Sequence, residues 1–249
     1  MLSTVERLLN RYYPVLPSGY RHRDSTPEFY GWMLSSLDRE CAAVLNVGAG
    51  PTPDRARRLK GQVWRHVGVD PDPVVLQNQD LDEAKVNDGV TLPFADGEFD
   101  AAYSDWTAEH VVEPLPFLQE IRRVLKPGAS YWLRTNNLHH YAALVSALTP
   151  HRFHKFIVNH NPCFAARQHD PWPTVYRMNT RRTLRRLMRA AGFDEPIIRT
   201  WEADPGAYLS FHPVPFLIGV GYERFVNHFE WTAAFRFTLL VRALKPADV

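Results

Sequence analysis

Short apolar runs alternate with amphipathic stretches along most of this 249-residue chain. Ala43–Val47 is an apolar run ending in Gly48-Ala49-Gly50, the pattern of a buried central strand followed by a tight turn. Val63–Val69 predicts a second strand ending at Asp70, and Ala84–Val86 a short third. Phe99–Tyr103 predicts a fourth, introduced by the turn pair Asp96-Gly97. Leu115–Leu125 has Leu118, Ile121 and Leu125 at helical spacing and is stopped by Pro127-Gly128, after which Ser130–Arg134 predicts a fifth strand. Near the N-terminus, Ser3-x-x-Glu6 has the form of a capping box, with Val5, Leu8, Leu9 and Tyr12 on one helical face. Pro27 opens a second helix that runs toward Arg39. Asn179-Thr180 caps a helix through Ala191 that ends at Gly192. Ile197–Thr200 and the alternating Phe235–Val241 predict the sixth and seventh strands.

Five βα-type units followed by two late strands predict an α/β fold: a Rossmann-like, doubly wound, seven-stranded sheet, mostly parallel with an antiparallel edge hairpin, in a three-layer α/β/α arrangement. The length suits one domain over residues 1–249. Residues 1–40 are expected to form an N-terminal helical cover. Residues 138–179 break the pattern: histidines, aromatics and prolines replace the periodicity, as expected of an insertion or substrate lid.

Composition narrows the class. Hydrophobic residues make up 45% of the chain, enough for a sizeable core. A net charge of +2 is too mild to imply nucleic-acid binding. Cys41 and Cys163 make no disulfide framework, which sets the expectation of a reducing, cytoplasmic setting. The opening MLSTVERLLNRYYP lacks the apolar stretch and cleavage site of a signal peptide. The most apolar late run, Val214–Tyr222, is well short of the ~20 residues of a membrane span. The apolar Val214–Phe229 segment offers a surface for a homodimer.

The chemistry begins at the glycine turn. A strand running into Gly48-Ala49-Gly50 lets the backbone approach a ligand closely, because no Cβ intervenes. Asp70 ends the next strand and is placed to accept hydrogen bonds from two ribose hydroxyls. NAD enzymes use a similar pair, but their fingerprint needs a third glycine beside the pyrophosphate, and Pro53 stands there. Five ordered segments then resemble the class I S-adenosylmethionine (AdoMet)-dependent methyltransferases, especially the small-molecule branch. They are Val44–Gly50, Val67–Asp70, Asp88 through Leu92-Pro93-Phe94 to Phe99-Asp100, Glu109-His110-Val111, and Ile121–Gly128. The resemblance implies that Gly48, Ala49 and Gly50 line the methionine and ribose part of AdoMet, and that Asp70, beside Pro71, holds the ribose diol. It implies that Asp88 accepts from the adenine amino group with Gly89 presenting backbone beside it. Ser104 and Asp105 would lie near the cofactor's amino group, flanked by Trp106. The chain departs from the family pattern at Asn46, where an acidic residue is usual, and at Pro51-Thr52, where a small residue is usual.

Methyl transfer from a sulfonium mainly requires alignment. An acceptor hydroxyl or protonated amine also needs a base, and histidine suits that task. His139 and His140, just past the fifth strand, are the candidates; His110 is the weaker one. His151, His154, His160 and His169 lack a matching cysteine pair or His-Glu helix motif, so no metal site is expected. Phe153, Phe156, Phe164, Trp172 and Tyr176 suit a pocket for a partly apolar acceptor as well as they suit satellite packing. Arg181, Arg182, Arg185, Arg186 and Arg189 read as a solvated helix face. The expected function is methyl transfer to a small-molecule acceptor. An RNA or protein methyltransferase, or a noncatalytic nucleotide-binding module of the same fold, is the alternative.

Overall fold

The computed structural model describes residues 3–53, 58–149 and 172–247. The chain divides into two compact units. A sheet unit comprises Phe29–Thr135, Tyr176–Arg199 and Leu239–Val249. A helical unit comprises Met1–Glu28, Asn136–Val175 and Thr200–Thr238.

The strands are β1 (Ala43–Val47), β2 (Arg65–Asp70), β3 (Glu83–Val86), β4 (Phe99–Asp105), β5 (Leu125–Asn136), β6 (Ile197–Trp201) and β7 (Thr238–Leu244). They form one seven-stranded sheet in the order β3-β2-β1-β4-β5-β7-β6. Strands β3, β2, β1, β4 and β5 are parallel neighbours. β7 lies antiparallel to β5: Lys245 N donates to Ala129 O at one end of the pair and Asn137 N to Phe237 O at the other. The central apolar runs follow from burial on both sheet faces. Leu45, Ala102, Leu133 and Leu239 enter the core beneath α3 (Pro114–Val124) and α5 (Arg181–Ala190). Their neighbours Val44, Ala101, Trp132 and Leu240 enter a second core with Phe29 and Met33 of α2 (Thr26–Leu34). On α3, Leu118 and Ile121 are fully buried, each contributing roughly 1.5–3 kcal/mol of transfer free energy.

Three boundaries differ from the sequence pattern. α2 stops at Leu34 rather than continuing to Arg39, because the Ser35 and Ser36 hydroxyls both turn back to Trp32 O. β5 begins earlier than Ser130, with a register shift where Phe99 faces Leu125 but Ala101 faces Ser130. The extra residues, Pro127-Gly128 among them, bulge there, and Gly128 takes a φ of 79°. The last strand runs from Thr238 to Leu244 rather than from Phe235. Glu230–Phe235 is a 3-10 turn, pinned as Thr232 Oγ1 donates to Phe229 O and Arg236 Nε to Val226 O. Both faces of β7 are packed, Leu239 and Val241 in the first core and Leu240 in the second, so Thr238–Val241 are all buried and the alternation seen over 235–241 is not that of a half-exposed strand.

The helical unit contains α1 (Thr4–Tyr12), α4 (Tyr141–Leu148), α6 (Gly206–Leu209) and α7 (Pro213–His228). The capping box at Ser3 and Glu6 is present, with both reciprocal bonds made. Val5, Tyr13, Phe216 and Val220 form its core. α4 falls inside 138–179, where the sequence shows little periodicity. His151, Phe153, His154, Phe156, His160, Cys163, Phe164 and His169 lie outside the described residues.

Candidate functional site

The C-terminal ends of β1, β2 and β4 converge on the glycine turn. Gly48 N and Ala49 N both donate to Val69 O, at 2.8 and 3.0 Å. Gly50 N donates to Asp70 Oδ2 at 2.9 Å, and Asp72 N donates to Asp70 Oδ1 at 2.8 Å. One carboxylate therefore fixes both the turn after β1 and the turn after β2. Each of its oxygens keeps acceptor capacity, because a carboxylate oxygen has two lone pairs. Burial pushes the Asp70 carboxyl above the ordinary aspartate range, against the backbone bonds that favour its charged form.

Gly48 has a φ of 81°, and a Cβ placed there would stand 2.4 Å from Thr107 Cγ2 and Oγ1. Both the backbone conformation and the contact exclude a side chain. Gly48→Ala is expected to lower the melting temperature by about 2–8 °C, since a left-handed L-residue costs about 1–2 kcal/mol before any clash. A thermal melt checks this; an unchanged midpoint would show that the turn relaxes freely. A second close approach lies within β2, where a Cβ on Gly68 would meet Leu81 Cδ1 at 2.4 Å and the Ala49 Cβ at 2.9 Å.

Asn78, outside the expected set, and Ser104, within it, hold the turn. Asn78 Nδ2 reaches the carbonyls of Ala49, Gly50 and Pro51 at 3.3, 3.1 and 3.2 Å. Ser104 Oγ, from the end of β4, donates to Val47 O at 2.8 Å. Pro71 stands against Gly89, whose Cβ position is 3.3 Å from Pro71 Cγ. Asp88 is exposed and turned into its own loop. Its Oδ1 accepts from Val90 N and Thr91 N, and its Oδ2 from Thr91 Oγ1. The Val90 N–H, followed by the Thr91 groups, holds its carboxyl below the ordinary range. At the end of β1, Asn46 Oδ1 is buried with no hydrogen-bond partner among the described residues.

Asp105 and Trp106 enter a different constellation. Arg134, 1% exposed on β5, grips Asp105 with Nε to Oδ1 and Nη2 to Oδ2, both at 2.6 Å. Tyr30 OH adds a bond to Asp105 Oδ2 at 3.1 Å. The guanidinium lies over the rings of Phe29, Tyr30 and Trp106, at 5.3, 5.8 and 5.1 Å from their centroids. Trp106 itself has a φ of 59°, which is strained for an aromatic residue. Its N–H donates to Arg134 O at 3.0 Å, so the same residue that holds Asp105 also holds the strained turn. The Asp105 carboxylate is thus committed to protein donors.

Just beyond, Glu109 is buried and accepts from Thr135 Oγ1 at 2.9 Å. Its carbonyl accepts from Tyr176 N, and Asn179 Nδ2 reaches Thr135 Oγ1, which ties residues 176–179 to the ends of β4 and β5. Burial raises the Glu109 carboxyl above the ordinary glutamate range. A raised native value means that the folded state keeps a proton the unfolded state has lost. Stability is then lost as pH rises from the ordinary glutamate value to the raised one. Urea unfolding at pH 5 and pH 8 is expected to show this fall in the wild type and a smaller one in Glu109→Gln. Equal slopes in both would remove Glu109 as the cause.

His139 and His140 belong to the helical unit. His139 is exposed. His140 is 2% exposed and caps α4, its Nδ1 accepting from Ala142 N at 3.2 Å. Its Nε2 lies 3.2 Å from Glu202 Oε1, while Glu202 Oε2 accepts from Phe237 N at 2.6 Å. Among the described residues no group of three or more His, Cys, Asp or Glu is placed to hold a metal ion. No helix of the described residues is long and apolar enough to cross a membrane.

The strand order with its reversed seventh strand, and a glycine turn locked to an acid at the end of β2, define a Rossmann-like methyltransferase fold. Residues 45–133 match the family described as a methyltransferase domain. Over those residues, about a third of its length, the chain is similar to methyltransferase domains. An uncharacterized methyltransferase of Mycobacterium sp. (strain JLS) is 37% identical over 89 residues, 34% of this chain and 35% of that protein. One from Mycolicibacterium gilvum (strain PYR-GCK) is 35% identical over 134 residues, 45% of this chain and 52% of that protein. The chain spans about a third to a half of the length of the curated relatives it matches. Among solved structures, Haemonchus contortus phosphoethanolamine N-methyltransferase 2 in complex with S-adenosyl-L-methionine superposes with a TM-score of 0.55. It is 14% identical, and the match covers 98% of this chain and 60% of that one. The [4+2]-cyclase SpnF superposes with a TM-score of 0.53 at 20% identity, covering 88% and 80%. These two likenesses speak to fold alone.

Proposed function

We propose that the chain transfers a methyl group from AdoMet to a small-molecule acceptor. The observation that carries the reading is the double engagement of Asp70, which locks the glycine turn while leaving acceptor capacity on both oxygens. In this reading Asp70 takes the ribose diol. Gly48, Ala49 and Gly50 present bare backbone along the ribose and methionine, and Pro71, Asp88 and Gly89 border the adenine. The unpaired Asn46 Oδ1 fits an ammonium donor, and Ser104 supports the turn beneath it. Asp105 acts indirectly, by fixing Trp106 through Arg134. When bound, AdoMet supplies an electrophilic methyl on a good leaving group. The chain's own task is then to orient the acceptor and exclude water.

For an acceptor that must lose a proton, His139 is the better candidate base. His140 would first have to release the Ala142 N–H that occupies its Nδ1 lone pair. A small acceptor, rather than RNA, is favoured by the modest net charge of +2. Titration calorimetry with AdoMet and with NAD tests the cofactor; micromolar AdoMet binding with no NAD binding is expected. Activity assays of His139→Ala then test the base, with a loss of 10²-fold or more expected. Full activity in that variant would remove the assignment.

A further inference from the structure

Helix α7 is apolar on two opposite faces. Phe216, Gly219, Val220 and Val226 are buried in the helical unit. Val214, Leu217, Ile218 and Phe225 are exposed, Ile218 at 67%. These positions follow the helical period with Gly221 between them, so they form one outward stripe. At its end Phe225, Phe229 and Trp231 cluster with ring centroids 5.3 to 6.0 Å apart, and Trp231 is 72% exposed. α4 adds exposed Leu144, Val145 and Leu148, and its Tyr141 packs edge-on against Tyr222 of α7 at 5.1 Å. The sequence has no Asp, Glu, Lys or Arg over residues 136–149 or 205–222. Contiguous apolar surface of this kind marks a binding face.

The chemistry at the end of the stripe says what binds. A groove of about 460 Å³ is lined by Arg23, Arg224, Phe225, Asn227, His228 and Phe229. Arg23 Nε and Arg224 Nε lean on the same carboxylate, buried Glu223, at 3.3 and 3.2 Å. One carboxylate between two guanidiniums leaves net positive charge, and Phe225 belongs both to the groove and to the apolar stripe. The exposed carboxylate nearby in sequence, Glu230, is taken by Arg236. A second copy of this face would bring another cationic groove and another neutralised acid. A phospholipid brings an anionic phosphate and an apolar phase together, in the order in which groove and stripe present themselves.

We propose that this face docks on a phospholipid bilayer, with a lipid phosphate at Arg23, Arg224 and His228 and the α7 stripe among the upper acyl carbons. The inference stands apart from the methyl-transfer reading. Its test is co-sedimentation of the full chain with phosphatidylcholine vesicles, with and without phosphatidylglycerol, alongside light scattering for oligomeric state. The wild type is expected to bind both vesicles, more strongly the anionic ones. Leu217→Glu combined with Ile218→Glu should lower binding to both at least tenfold, because each buried branched side chain contributes strongly to transfer. Arg224→Gln should abolish the anionic preference alone, since Arg23 still neutralises Glu223. The substituted positions face outward, and circular dichroism melts confirm that each variant folds. Absence of vesicle binding by the wild type overturns the proposal, as does binding indifferent to the double substitution. A dimer that the double substitution makes monomeric would give the face to a second copy instead. Binding of inorganic phosphate at the groove without vesicle binding would reduce it to a free-anion site.

Discussion

Asp70→Ala is expected to weaken AdoMet binding about 100-fold, measured by titration calorimetry at pH 7.5. Hydrogen bonds to a charged group contribute roughly 1.5–3 kcal/mol each, and tenfold in affinity corresponds to about 1.4 kcal/mol. The substitution removes the acceptor proposed for the ribose diol. It also frees Gly50 N and Asp72 N, so the glycine turn keeps its Gly48 and Ala49 bonds to Val69 O but loses the one that fixes Gly50. The pH profile separates a charge effect from a purely structural one. Burial raises the Asp70 carboxyl, so wild-type affinity should begin to fall at a higher pH than an ordinary aspartate would set. Asp70→Asn should bind weakly with a flat profile over the same range. Unchanged affinity in Asp70→Ala would overturn the proposed cofactor site.

The second large effect is on stability. Arg134→Met leaves the Asp105 carboxylate with Tyr30 OH but without its bidentate partner, in a place where Arg134 itself is all but inaccessible. Breaking a buried pair from one side costs about 3–5 kcal/mol, because the remaining charge is desolvated without compensation. Urea denaturation should show that loss. The double variant Arg134→Met with Asp105→Asn should recover most of it, since no unpaired charge remains. If the double variant is as unstable as the single, the cluster's contribution lies instead in the aromatic contacts of the guanidinium with Phe29, Tyr30 and Trp106. AdoMet affinity measured on the recovered variant then reports whether the Trp106 turn still holds its shape.

The centre of the sheet was legible because its strands are buried on both faces. Ala43–Leu45 and Tyr131–Leu133 are apolar for that reason, and their order with the glycine turn leaves few topologies. The β7 boundary departs from the sequence pattern because alternation suggests one wet face, whereas both faces of this strand are packed, Leu239 and Val241 on one and Leu240 on the other. At the site, Gly48 and Asp70 were visible because each combines a residue type with a strand end. Asn78 was not visible: its three carbonyl contacts come from folding a loop back, and nothing in its spacing announces them. Arg134 left a clue, as a charge directly after the apolar run Tyr131-Trp132-Leu133 and within the same strand. Asp105 as its partner could not be read from sequence, because the pairing is made across two adjacent strands. Asp88 shows the opposite limit: an Asn-Asp-Gly stretch suits a self-capping turn as well as it suits a ligand.

The interior place of β7 bears on synthesis. β5 is complete once residue 136 has left the ribosome, but one of its edges is covered only after residue 244. For more than a hundred intervening residues, a strand whose residues 129–135 end buried is a nascent edge, open to pairing with other chains. The step that closes the sheet brings together partners far apart in sequence, and contacts of that range form slowly. Chaperone demand and aggregation during expression are therefore expected to track the β7 segment more closely than the cofactor-side strands.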